Sequence, residues 1–336
     1  NRAYKDAYCH DVARSIIVDS SGSHFDPAIV EGFLACEDKF LAIRRQYSDD
    51  RPLTLAAPPL GSICTLAWPP VTNNLVLWFD AADNSKVLDP ADAPATNNGL
   101  VQTWQDKAPN SFHAYQRESG KNPVYVTDAL NGNPVIRFDG ANDCLTNLTL
   151  AAFSVSNLDG FVVGKLRNTT QNAGVFTFAT GGALDYGAGG ILVWNSGANG
   201  GIGSGGDSRF NGDPNGVANV GLSLGAFHIY NYIYGGGMQG VKPDGVMLSA
   251  ATSAQPAISP DRYCVGARLG GGVPTGNWSQ SDVAEICFYN RCLGFLERLQ
   301  VTRYLAAKYG LTNAAYAGDL AVKGSIVAFH FTHPRA

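Results

Sequence analysis

The chain has 336 residues, 45% hydrophobic and only 15% charged, with a formal net charge of −4. That is enough apolar material for one large domain with an appendage, or for two domains, and the 39 glycines and 17 prolines suit a fold rich in turns. The mild acidity and the lack of any Lys/Arg cluster exclude a nucleic-acid binder with the usual basic stripe, and no run of about 18 apolar residues is present to insert into a membrane.

Residues 1–50 are expected to be helical. Tyr4 to Val18 carries few breakers, and Ala7, Val12, Ala13, Ile16 and Ile17 fall near helical spacing. Asp19-Ser20-Ser21-Gly22-Ser23 interrupts it. Asp26-Pro27 then restarts a helix, with Asp as N-cap and Pro in the first turn, and Ile29, Phe33, Leu34, Phe40, Leu41 and Ile43 form its apolar stripe. Residues 51–73, with Pro52, Pro58, Pro59, Pro69 and Pro70, are expected to be an extended linker.

From Asn74 the pattern changes to short β-rich runs separated by Gly, Asn, Asp and Pro. The spacing predicts strands at Leu75–Phe79, Val124–Val126, Val135–Phe138, Gly160–Leu166, Val175–Phe178, Gly190–Trp194, Ala226–Tyr234, Val246–Ser249, Tyr263–Ala267 and Asp282–Tyr289. So many strands without long intervening helices predict an antiparallel β-sandwich over 74–312. In the last strand, Ala284, Ile286 and Phe288 are expected on one face and Val283, Glu285, Cys287 and Tyr289 on the other. A single helix from about Leu293 to Lys308 follows, with Gly310 as its stop. Residues 313–336 form a tail in which Ile326–Phe331 has strand character.

The β region resembles laminin-G-like, concanavalin A-like jelly-roll domains of bacterial secreted and surface proteins. Leu77-Trp78-Phe79-Asp80-Ala81-Ala82-Asp83 is similar to their opening strand. Trp104-Gln105-Asp106-Lys107-Ala108-Pro109-Asn110 with His113-Ala114 resembles their W-x-D-x-S-G-N…H-A segment. Asn131-Gly132-Asn133-Pro134-Val135-Ile136-Arg137-Phe138-Asp139-Gly140 with Asp143-Cys144-Leu145 resembles N-G-x-P-x-V-x-F-D-G-x-x-D-x-L. Ala284-Glu285-Ile286, Tyr289-Asn290-Arg291 and Tyr309-Gly310-Leu311 are similar to the closing strand and helix. The resemblance, over about 71–311, implies the sandwich fold and an extracellular or cell-surface location; fold alone does not imply function.

The first 50 residues resemble the C-terminal end of HD-GYP cyclic di-GMP phosphodiesterases. Arg2-Ala3-Tyr4-Lys5 is similar to the family's R-P-Y-K, and Gly22-Ser23-His24-Phe25-Asp26-Pro27-Ala28-Ile29-Val30 with Phe33 to its G-x-H-F-D-P-x-V-x-x-F. The family's metal ligands and GYP loop lie upstream of this stretch, so Arg2 and Lys5 are expected to lack a metal centre that could activate a water. Residues 1–50 are therefore expected to be a remnant without phosphodiesterase activity, and His10-Asp11 a coincidental HD pair.

For chemistry within the sandwich, no G-x-S-x-G elbow exists, and Gly206-Asp207-Ser208 is too short to signal an esterase. The six histidines show no i,i+4 pair. Enzymes on the fold that the resemblance implies usually cleave glycans with two carboxyls, about 5–5.5 Å or about 6.5–9.5 Å apart. Asp282-Val283-Ala284-Glu285 comes nearest, but a spacing of three places the two on opposite faces of a regular strand. Glu285, sharing a face with Tyr289, is thus the catalytic candidate if a carboxylate from another strand joins it; its alternative is a structural glutamate.

Candidate sugar-stacking aromatics are Trp194, Trp278, Tyr230, Tyr232 and Tyr234. His228, Tyr230, Tyr232 and Tyr234 share one strand face, and aromatic stripes are more often core than platform; Trp278, in the Gly276-Asn277-Trp278-Ser279 loop, is expected to be accessible, whereas Trp78 and Trp104 are expected in the core. Calcium, which needs several loop oxygens, has candidate ligands in Asp139, Asn142 and Asp143, with Asp80, Asp83 and Asn84 or Asp207, Asn211 and Asp213 as further clusters. Turn chemistry explains each equally. The seven cysteines lack zinc-ligand spacing and are expected to be buried thiols, with a Cys264–Cys287 disulfide open if those strands are neighbours. The functional expectation is a non-catalytic recognition module for glycan or protein; the alternatives are a glycan-active hydrolase or lyase, and a structural or assembly protein.

Overall fold

The opening strand, Leu75–Asp80, is buried along its whole length, so it reads as a continuous apolar run with both faces covered. Val76, Leu77 and Phe79 enter one apolar cluster; Leu75 and Trp78 enter a second. These two clusters define the architecture of the larger of two compact units, Ala67–Leu293 with Leu299–Tyr316. The computed structural model describes residues 17–22, 24–47, 70–168, 172–196, 206–213, 222–245 and 249–311.

The larger unit is an antiparallel β-sandwich of two eight-stranded sheets. The first sheet runs Ser249–Thr252, Met238–Val241, His228–Gly235, Leu158–Leu166, Ser281–Tyr289, Asn133–Arg137, Val124–Leu130, with Leu75–Asp80 also paired to Ser281–Tyr289. The second runs Gly206–Phe210, Gly190–Ser196, Ala173–Ala179, Arg262–Val265, Leu145–Asn147, Ala114–Tyr115, Thr103–Trp104, Val87–Leu88. Between the sheets lie Phe79, Trp104, Phe176, Phe178, Tyr263 and Phe288, with Phe79 stacked on Trp104 at 5.0 Å and Phe178 tilted onto Phe288 at 4.5 Å. Gly164, in the strand Leu158–Leu166, leaves room for the opposite sheet: a Cβ there would sit 3.0 Å from the Trp194 ring.

Strands of two or three residues such as Thr103–Trp104 and Ala114–Tyr115 are too short for alternation to announce them. The closing helix, Phe295–Tyr309, contributes Val301, Leu305 and Tyr309 to the second cluster, on the outer face of the first sheet. A third cluster, Cys144, Ala179, Cys264, Ala267 and Leu269, lies on the outer face of the second sheet.

The closing strand corrects one expectation. Val283 belongs to the inner cluster with Ile286 and Phe288, while Ala284, Cys287 and Tyr289 belong to the outer one. A register shift between Val283 and Glu285 against Leu158–Leu166 inserts a β-bulge, which breaks the period of two. The proposed Cys264–Cys287 bridge is also corrected, because the two thiols lie in clusters on different sheets and all five described cysteines are free.

In the smaller unit, Asp26 caps the helix Pro27–Tyr47, its Oδ1 accepting the Ala28 amide at 2.8 Å. The expected apolar stripe is not buried as such: Val30 is buried, whereas Ile29 is 66% exposed. Tyr4–Ile16, the linker up to residue 69, the side chains of Phe40, Leu41 and Ile43, and the tail with Ile326–Phe331 lie outside the described residues. No described helix is long and apolar enough to cross a membrane.

Candidate functional site

Glu285 does find a carboxylate partner on a neighbouring strand: Asp80 is its register partner on Leu75–Asp80. The pair is not open. The Lys308 ammonium sits between the two carboxylates, 2.6 Å from Asp80 Oδ1 and 2.6 Å from Glu285 Oε2. Glu285 Oε1 accepts the Trp78 indole N–H at 2.9 Å, and Oε2 also accepts the Tyr309 hydroxyl at 2.7 Å. The Glu285 side chain is 0% exposed. Burial, with the charge of Asp80, pushes its carboxyl up to about 6 against the pull of Lys308. Lys107 extends the network outward to Asp80 at 3.0 Å and Asp83 at 2.9 Å. Every glutamate oxygen is occupied, and this arrangement clamps opening strand, closing strand and helix together. Tyr289 is likewise buried, its hydroxyl donating to the Val71 carbonyl at 3.1 Å.

The bulge also brings Asp282 to the outer face, beside the inward-facing Val283, so two carboxylates three residues apart share a face after all. Asp282 is fully buried and gathers three cations: Arg137 at 2.8 Å, Lys165 at 3.1 Å and Arg167 at 3.2 Å. Next to it, the candidate calcium ligands form an Asx-type turn. Asp139 Oδ1 accepts the amides of Ala141, Asn142 and Asp143, and Asp143 Oδ2 accepts the Asp139 amide at 3.0 Å. Burial and the neighbouring Asp139 push the Asp143 carboxyl up to about 6. The other two clusters have occupants of their own: Lys107 and Lys308 at Asp80 and Asp83, and, at Asp213, the Gln239 amide and the Ser253 hydroxyl. Among the described residues no group of three His, Cys, Asp or Glu side chains is gathered as a metal site.

The aromatic stripe alternates as expected, but its tyrosine face points into the sandwich. Tyr230 and Tyr232 are fully buried; Tyr230 stacks on Trp194 at 4.8 Å and 3°, and its hydroxyl meets Ser208 Oγ at 2.7 Å. Tyr232 donates to Gln239 at 2.8 Å. Trp194, Tyr230 and Tyr232 therefore offer no face to a sugar, a correction to the platform reading; the tyrosine hydroxyls that set this face apart from an ordinary core are satisfied internally, while the buried Trp194 indole N–H is left without a partner among the described residues. Tyr234 stacks on Phe210 at 3.8 Å and borders an open cleft of about 470 Å³ lined with Asn157, Gly236, Ser253 and Gln255.

Trp278 is different. It is half-buried, packed on the third cluster at the outer side of the second sheet. Two consecutive residues of positive φ, Gly276 at 102° and Asn277 at 50°, precede it, a conformation that glycine adopts freely and that persists at Asn277 where the surroundings fix it. They do: the Gly174 amide donates to the Asn277 carbonyl at 3.1 Å and the Ser279 amide to the Gly266 carbonyl at 2.8 Å. The neighbouring loops are joined by a buried fork in which Arg268 Nη2 and Nε hold Asp185 at 2.7 and 2.8 Å. Arg268 also lies 4.9 Å from the ring centre of Tyr186, which is 46% exposed. The backbone held in this way presents a partly exposed indole and an exposed phenol, with Leu184 in the loop of Tyr186 and Val273 in the short strand Val273–Pro274 also exposed. Sequence reasoning found Trp278 from its loop but missed Tyr186, Asp185 and Arg268, which a separation of 83 residues hides.

No family model matches the chain. A 48-residue stretch is 58% identical to a cyclic di-GMP phosphodiesterase of Vibrio cholerae, covering 14% of this chain and 10% of that protein. A probable cyclic di-GMP phosphodiesterase of the same organism is 39% identical over 49 residues, 11% of its length. Among solved structures, a GH54 α-L-arabinofuranosidase soaked with 4-nitrophenyl α-L-arabinofuranoside superposes with a TM-score of 0.50 at 14% identity, and one soaked with a cyclic sulfate inhibitor with 0.51 at 13%. Each covers 70% of this chain and 63% of the other. The chain thus spans about a tenth of its curated relatives and under two thirds of these structures, and at such identity the likeness shows the sandwich fold.

Proposed function

We propose that the sandwich is a laminin-G-like, concanavalin A-like recognition module that holds a glycan against the outer rim of its second sheet, with Trp278 and Tyr186 as stacking surfaces. The observation that carries this is the rigidly held, accessible Trp278 beside the Asp185–Arg268 fork. Exposed aromatics on a fixed backbone with convergent polar groups are what a carbohydrate site requires. Asp185, buried and anchored, positions Arg268 and the backbone of Leu269, whose amide donates to Asp185 Oδ2 at 2.8 Å.

A second reading, a glycan-active hydrolase on the same fold, has the likeness to the two arabinofuranosidases behind it and is weighed by the same experiment. Its acid pair would have to lie away from Asp80 and Glu285, whose oxygens Lys308 occupies. Retention on none of the polysaccharides would leave a protein as the ligand of the same rim. Part of the proposal is an extracellular or cell-surface setting, where calcium at the Asp139–Asp143 turn would compete with four backbone amides. Residues 1–50 fit a remnant of a phosphodiesterase, so their deletion leaves folding and glycan binding of the sandwich intact; loss of soluble sandwich on deletion would sink that idea.

The test is incubation of the protein and its Trp278→Ala variant with a polysaccharide panel, with calcium or chelator, reading bound protein and released oligosaccharide. Retention lost in the variant without product supports the module. Release of defined oligosaccharides supports the hydrolase.

A further inference from the structure

Three residues that no motif announces meet at one end of the strand His228–Gly235. His228 is buried, and its Nδ1 lies 2.8 Å from Asp244 Oδ2. Its Nε2 lies 3.2 Å from Ser223 Oγ and 3.3 Å from the Ser223 carbonyl. Ser223 itself is exposed. Asp244 is held as well as paired: its other oxygen accepts the Ile229 amide at 2.9 Å, and it sits in a Pro243–Gly245 turn with φ 54°, followed by Gly245 at φ 82°. That left-handed pair turns the carboxylate back onto the strand, and Asp is among the few residues that tolerate it.

We infer that Ser223, His228 and Asp244 form a nucleophile–base–orienting relay that hydrolyses carboxylic esters bearing a small acyl group. The order of parts is the one acyl transfer needs, recognised by geometry and not by position in the chain. Asp244 accepts the Nδ1 proton and so fixes the tautomer in which Nε2 is the free base facing Ser223. Burial pulls the imidazole down, and the hydrogen bond and charge of Asp244 outweigh it, leaving His228 above the ordinary histidine value. The nearby Ser223 carbonyl gives the imidazolium an acceptor once it forms. Leu224, next in the chain, is 42% exposed and supplies apolar surface for the acyl group.

The chemistry balances without any added reagent but water. Ser223 Oγ bonds to the ester carbonyl carbon while its proton passes to His228 Nε2. The bond from that carbon to the alcohol oxygen breaks, and the alcohol takes the proton from Nε2. A water, deprotonated by the same nitrogen, then attacks the acyl-serine; carboxylic acid leaves and Ser223 recovers its proton. This activity goes beyond glycan recognition at Trp278, and neither probe below is a glycan, so its outcome is independent of that reading.

The experiment treats the full chain with a fluorophosphonate probe and, separately, with p-nitrophenyl acetate. The expected result is phosphonylation mapped to Ser223 by peptide mass spectrometry, and nitrophenol release that falls to the buffer rate in Ser223→Ala. Ser223 is exposed, so that variant should melt like the wild type. Asp244→Asn, which suits the left-handed turn, should lower the release rate by about 10²–10⁴-fold through the wrong imidazole tautomer. Absence of label on Ser223, wild-type release from Ser223→Ala, or an unchanged rate in Asp244→Asn would each overturn the relay.

Discussion

The outer faces of the two sheets carry nearly the same inventory and use it differently. On the first sheet, Trp78, Glu285 and Asp80 lie under the closing helix, which supplies Lys308, and Glu285 has no exposed side-chain surface. On the second, Trp278, Tyr186, Asp185 and Arg268 sit in the surface loops themselves, with Tyr186 46% exposed and Trp278 partly exposed. An indole, a carboxylate and a cation make a clamp when every donor and acceptor is matched and water is excluded. The same groups make a recognition surface when the ion pair is buried but the rings are not. Cover, more than residue type, separates structure from function here.

That contrast can be broken most forcefully at Glu285. Removing Glu285 takes the acceptor oxygens from the buried Trp78 indole N–H and Tyr309 hydroxyl and leaves Lys308 with Asp80 as its remaining carboxylate, so Glu285→Ala should cost about 3–5 kcal/mol in denaturant unfolding; a cost under about 1 kcal/mol would mean the network is not a clamp. Trp278→Ala should do the reverse, weakening glycan retention by about 10–100-fold, as loss of a stacking anchor does, with a loss of stability smaller than that of Glu285→Ala, set by the part of the indole packed on the third cluster. Equal loss of stability and binding would make Trp278 a core residue.

A pH series sharpens the first half of the comparison. Glu285 titrates near 4.5 when free and near 6 in the fold. A raised carboxyl favours the folded state when protonated, so its contribution is fully present below about 4.5 and is lost as pH rises through about 6, a decline of about 2 kcal/mol. Glu285→Gln should flatten that limb of the melting-temperature profile; parallel profiles for variant and wild type would contradict the assignment. The smallest effect belongs at the solvent edge of the same network, where the Asp83 side chain is 29% exposed. Asp83→Asn should change stability by under about 1 kcal/mol, and less in high salt.

Much of the sandwich was legible because its long strands alternate or run apolar between Gly and Asn turns, as in Leu75–Asp80 and Leu158–Leu166. Trp278 was legible because Gly276 and Asn277 mark a loop. The direction of the His228–Tyr234 stripe was not, since alternation says which residues share a face and not which face is inside. The phase of Ser281–Tyr289 was misread because a β-bulge leaves no mark in the residue pattern. Pairs made by topology, such as Asp185 with Arg268 or His228 with Asp244, carry no local signal; only the folded register brings them together.

The central claim, that the second sheet's rim engages a glycan, is tested most directly by offering the polysaccharide panel to wild type and Trp278→Ala side by side, with bound protein and released oligosaccharides both measured. The account predicts retention of the wild type on at least one polysaccharide, lost in Trp278→Ala, without product. Retention unaffected by the substitution, or release of defined oligosaccharides, would contradict it.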